Sequence, residues 1–110
     1  MYQPSSNSQN NAAALLDTLI HEIGHNVNFN IRRDNFDLDV EWRLMYEESN
    51  KTFPQDGKGF VTNYARTTKY EDFAESYRTY VRDPKSLLFF SPAKYEFMRD
   101  KIFNGREYPQ

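Results

Sequence analysis

Apolar residues return at helical spacing in several stretches of this chain, and those stretches set its architecture. Leu16, Leu19, Ile20, Ile23 and Val27 fall at i, i+3, i+4, i+7 and i+11, one stripe of an amphipathic helix. Asn11 suits the N-cap, and the alanines 12–14 add helix propensity ahead of the stripe. Opposite the stripe lie Asp17, His21, Gly24, His25 and Asn28. Residues 28–36 read as irregular. A second helix is expected over about 38–50, with Leu38, Trp42, Met45 and Tyr46 inward and Asp37 near its cap. A third runs from a Thr67 or Thr68 cap to about Arg82, where Tyr70, Phe73, Ala74, Tyr77 and Val81 repeat the first stripe's spacing. Ser91-Pro92 opens a last helix, with Tyr95, Met98 and Ile102 inward, and Asn104-Gly105 closes it.

The joints between these elements read from local chemistry. Residues 54–59 (Pro-Gln-Asp-Gly-Lys-Gly) form a loop by composition. Residues 60–65 are rich in β-formers and are expected as a short strand or an extended approach. Asp83-Pro84 stops the third helix, and the apolar run 87–90 is expected to pack the last helix onto the core. Residues 1–10 are rich in Ser, Asn and Gln and read as a disordered lead-in, leaving 11–110 as one domain. A mainly α fold follows, with an α+β variant left open by the possible strand.

Length and charge narrow the function. At 110 residues there is room for one core only. Fourteen Lys and Arg against 16 Asp and Glu give a net charge of −2, which offers no basic face to nucleic acid. No run approaches the roughly 20 apolar residues of a membrane span, and the N-terminus lacks a charged-then-apolar signal pattern. There is no cysteine, so a metal could be held only by His, Asp or Glu. That absence fits a secreted bacterial protein as well as a cytosolic one.

Both histidines of the chain fall in His21-Glu22-Ile23-Gly24-His25, an H-E-x-x-H motif inside the best-marked helix. Spacing of i, i+4 sets the two imidazoles one turn apart on one face, where each can offer a nitrogen to one ion. Glu22 is turned away from that pair and suits a general base acting on water. A third ligand must be acidic, since no further His or Cys exists. A metzincin would need Gly at 28 and His at 31, where this chain has Asn28 and Ile31. Glu71 is the candidate ligand. Gly24 and Ala74 are small at matching offsets, which lets the two helices approach closely enough to share an ion. Thr68-Lys69-Tyr70-Glu71 also fits a capping box, whose Glu would bond its own helix end. Asp72 and Glu75 are the other acidic candidates, and Glu75, one turn from Glu71, suits an acceptor for a histidine N–H.

These residues resemble a known family. The pairing of residues 21–25 with Tyr64-Ala-Arg-Thr-Thr-Lys-Tyr-Glu71-Asp-Phe-Ala-Glu75 is similar to the catalytic domain of anthrax lethal factor-type metallopeptidases. Those are gluzincins, and residues 59–65 followed by Glu-Asp-Phe-Ala-Glu also look like zinc metallohydrolases of bacterial surface systems. The resemblance spans about residues 15–82. It implies a zincin-like helical domain that hydrolyses peptide bonds, with zinc on His21, His25 and Glu71 and with Glu22 as base. It also implies that Tyr64 polarises the scissile carbonyl or stabilises its oxyanion, and that the protein is secreted or cell-surface. By residue type alone Tyr64 would be a core or loop aromatic. The chain departs from the family in showing only a polar lead where a small sheet precedes the active helix. It is then a catalytic fragment of a longer chain or a minimal form with another cleft. Two rivals remain: a zinc-binding or interaction module without catalysis, and a metal-free helical interaction domain.

Overall fold

The computed structural model describes residues 4–109 and is mainly α, with five helices and, among the described residues, no strand. Helix α1 spans Pro4–Asp34. Of the expected lead-in, residues 1–3 lie outside the described residues and residues 4–10 form the first turns of α1, so Asn11 is inside the helix and not at its cap. The segment 28–36, expected to be irregular, is helical as far as Asp34. It contains no Gly or Pro, and burial of Asn28 and Ile31 outweighs the weak propensity of its Asn and Phe residues. The only break is at Asn35, whose side chain accepts a hydrogen bond from the Leu38 amide at 3.2 Å and caps α2 (Phe36–Asp56).

Helix α2 absorbs Pro54, because a proline so near the end costs little beyond the bond to the Asn50 carbonyl. It stops at Gly57, left-handed at φ 68°, whose amide bonds Phe53 O at 2.8 Å. Residues 60–65 form no strand, since no neighbouring strand offers a ladder. They bury Phe60 and turn through a 3₁₀ segment, Tyr64–Arg66. Thr68 caps α3 (Lys69–Arg82), accepting from the Glu71 amide at 3.1 Å. Asp83-Pro84 ends α3 as expected, but Pro84 also starts a further helix, α4 (Pro84–Phe90). Helix α5 (Pro92–Phe97) runs on into a π turn, Met98–Ile102.

α3 is the central element. The whole of 72–76, with Thr79 and Tyr80, is buried on it. Around it, Ile31, Trp42, Leu87, Phe97 and Met98 close an aromatic-rich core, with Trp42 edge-on to Phe73 and Phe97 at 5.0 and 5.1 Å. α1 lies inward by a face that only partly coincides with the expected stripe, sharing Ile20 and Val27 with it. Ile20, Gly24, Asn28 and Ile31 are turned inward, whereas Leu16, Leu19 and Ile23 stay 41%, 56% and 41% exposed. Among the described residues no helix is long and apolar enough to cross a membrane.

Candidate metal centre

The α1–α3 contact is close because two small residues meet there. A Cβ on Gly24 would stand 3.1 Å from Ala74 Cα and 3.1 Å from Tyr77 Cβ, and Ala74 itself is fully buried. This approach carries the faces bearing His21, His25 and Glu71 against each other.

One carboxylate oxygen then serves both imidazoles. Glu71 Oε1 is 3.0 Å from His21 Nε2 and 2.8 Å from His25 Nε2, and the two rings stand edge to face with centroids 4.7 Å apart. The other oxygen, Oε2, accepts the Tyr64 hydroxyl at 2.9 Å. Thus Glu71 does not fold back as a cap. Only half of the capping box forms, the Thr68 hydroxyl receiving the Glu71 amide, and the carboxylate is turned toward α1. Glu75 stands behind His21: its Oε2 is 2.8 Å from Nδ1, while Oε1 accepts from the Thr62 hydroxyl at 2.8 Å. Thr62 accepts in turn from the Ala65 amide at 3.1 Å, which ties the turn carrying Tyr64 to the same network. Glu22 is exposed, and its carboxylate lies with the ligating atoms of His21 and His25 inside a 4.8 Å group.

The electrostatics fit a cation at this point. Both nitrogens of His21 face carboxylate oxygens, yet a neutral imidazole carries a single proton. A proton on Nδ1, donated to Glu75, leaves a lone pair on Nε2 aimed at Glu71 Oε1. A metal ion could take that lone pair. Burial works to raise the Glu71 carboxyl, but the hydrogen bonds from Tyr64 and His25 and the charge of the histidines outweigh it, and the group is held below its ordinary value. Glu75 is likewise held down against burial, by the Thr62 hydroxyl and the Arg78 guanidinium. The Tyr64 phenol is pushed up, chiefly by its bond to Glu71, so it keeps its proton at neutral pH.

Asp72 lies elsewhere. It points into the core, where Lys94 Nζ is 3.1 Å from Oδ1 and 2.9 Å from Oδ2 and also donates to Gly59 O at 2.6 Å. Burial pushes Asp72 up to about 7 and Lys94 down, as expected when both charges leave water. Thr62, Arg78 and Lys94 are the residues that sequence reasoning passed over. Arg78 could have been found from its i+3 spacing to Glu75. Lys94 carried no signal, because its partners are 22 and 35 residues away.

Compared with protein-family models, curated proteins and solved structures, the chain shows no match.

Proposed function

We propose that this domain is a zinc-dependent endopeptidase of gluzincin type. The observation that carries the reading is the convergence of His21 Nε2 and His25 Nε2 on Glu71 Oε1, beside a tyrosine hydroxyl and an exposed glutamate. Two imidazoles and a carboxylate are a known donor set for catalytic zinc. His21, His25 and Glu71 would hold a zinc ion, which would supply Lewis acidity and lower the pKa of a water in the site toward about 7. Glu22 takes the proton of the attacking water on its carboxylate and returns it to the departing amine nitrogen. Tyr64 turns its O–H from Glu71 Oε2 toward the developing oxyanion. Glu75 fixes His21 by receiving Nδ1–H, so that Nε2 is left as the donor.

A second reading, a zinc-binding module without catalysis, is favoured by one observation: among the described residues no strand is present to hold an extended peptide. Metal analysis of the purified domain, followed by incubation with a peptide mixture, separates the two. The peptidase reading expects one zinc per chain, lost in His21→Ala and in His25→Ala. It also expects peptide cleavage that Glu22→Gln abolishes while zinc is retained. Zinc persisting in the double alanine variant would refute the site, and zinc without cleavage would leave the binding module.

A further inference from the structure

Next to the centre lies an open cleft of about 410 Å³, lined by His21, Tyr64, Glu75 and Arg78 among others. From α1 it is lined by Ala14, Asp17, Thr18 and His21, of which Ala14 and Thr18 are small. Arg78 is held in place by one hydrogen bond, from Nε to Glu75 Oε2 at 3.2 Å. That same oxygen is the one that faces His21 Nδ1 at 2.8 Å, so the guanidinium sits two hydrogen-bond lengths from the first imidazole. A guanidinium has five N–H donors, and only the Nε–H is engaged among the described residues. Its terminal nitrogens form the fork that matches a carboxylate. Two carboxylates also line the cleft: Asp17, whose Oδ1 accepts from Arg82 Nε at 3.0 Å, and Glu75, which accepts from Arg78. The cleft therefore presents one oriented, unsaturated cation within about one residue's reach of the centre.

We propose that Arg78 recognises a carboxylate that the substrate places in this cleft beside the scissile bond. The inference rests on the peptidase reading and names its substrate class: peptides with an acidic side chain next to the cleaved bond, or with a free C-terminal carboxylate there. The guanidinium is pre-oriented by Glu75, so binding does not have to order it.

Three small probes test this on the zinc-loaded protein, each titrated with detection at the Arg78 Nε–H resonance and by calorimetry. N-acetylglutamine carries only the terminal carboxylate, N-acetylglutamic α-amide only the side-chain one, and N-acetylglutaminamide neither. One of the two anions should bind about tenfold or more tighter than the neutral probe, and which one identifies the source of the carboxylate. Arg78→Gln should remove that preference. Arg78→Lys, which keeps the charge and loses the fork, should retain only part of it. Equal binding of all three probes would overturn the proposal. So would a preference that survives in Arg78→Gln, because the anion would then be bound by the metal ion. Should Arg78→Gln fail to fold, undiminished preference in Arg78→Lys overturns the proposal, and a several-fold loss supports it. Cleavage is scored separately on amide-capped neutral peptides and their acidic counterparts. A chain that binds the anion and cleaves nothing retains the Arg78 site and loses the peptidase reading. One that cleaves both kinds equally retains the peptidase and loses the Arg78 assignment.

Discussion

Replacing Gly24 by alanine adds a single methyl group at the point where the metal-centre helices touch. Ordinary van der Waals contacts of a Cβ begin near 3.4 Å, whereas this one would meet Ala74 Cα and Tyr77 Cβ at 3.1 Å and Tyr77 Cγ at 3.2 Å. Ala74 Cα is backbone of a fully buried segment, so it cannot swing aside, and α1 must lift by a few tenths of an ångström. Overpacking of this kind costs about 1–3 kcal/mol. Alanine returns about 1 kcal/mol through its better helix propensity. The net loss of stability is then about 0–2 kcal/mol, or a fall in Tm of no more than ~15 °C at about 4–8 °C per kcal/mol. Zinc affinity should suffer more than stability. Ligand distances in such sites tolerate about 0.2 Å, comparable to the displacement, and a loss on the order of 10–100-fold is expected. Thermal melts by circular dichroism and a competitive zinc titration with a chromophoric chelator read the two quantities independently. A Gly24→Ala protein that is more stable than the parent and binds zinc equally well would refute the argument that this contact sets the ligand spacing.

Other perturbations separate residues that lie close in sequence. Glu71→Gln should greatly weaken zinc binding, since an amide is a poor ligand. Asp72→Asn should instead lower stability by up to about 3–5 kcal/mol by leaving Lys94 buried beside a neutral partner, with zinc stoichiometry of the folded fraction intact. Comparing zinc affinity with melting temperature for the two variants checks this. Tyr64→Phe should lower kcat roughly 10²–10³-fold with little change in KM, read by steady-state kinetics on any cleaved peptide, while zinc content holds. Glu75→Gln should cost about 10–100-fold in zinc affinity, because the acceptor that orients His21 loses its charge. Saturating zinc at 100 times its Kd should add about 2.7 kcal/mol to unfolding, and a chelator should take it away.

The helices were legible where local chemistry marks their ends. Thr68 caps α3, Asp83-Pro84 stops it and Ser91-Pro92 opens α5, each by a bond within three or four residues. What misled was chemistry that only tertiary partners decide. Residues 28–34 look like a loop by propensity and are helical because Asn28 and Ile31 are buried. Residues 60–65 look like a strand by composition and are not, because a strand without a neighbour has nowhere to place its hydrogen bonds.

The face of α1 that lies against α3 shows why the juxtaposition of His21 and His25 could be read while the packing around it could not. The face of α1 that meets α3 mixes polar, small and apolar residues: His21, Gly24 and Asn28 beside Ile20 and Ile31. Of its apolar stripe, Ile20 is buried and Val27 packs on the core, while Leu16, Leu19 and Ile23 are left outside at 41%, 56% and 41% exposure. Hydrophobic periodicity therefore marks only part of the face that meets the neighbouring helix, because small and polar residues complete it. Motif spacing has no such weakness. The i, i+4 geometry of His21 and His25 holds whichever way α1 rolls, and it remains only for the partner helix to supply a carboxylate. α3 does this with consecutive residues that point apart: Glu71 toward the imidazoles and Asp72 toward Lys94 in the core. The same turn of α3 therefore anchors the helix in the core and sets a carboxylate against the two imidazoles. A change at either residue should be felt as two separable quantities, metal affinity for Glu71 and stability for Asp72.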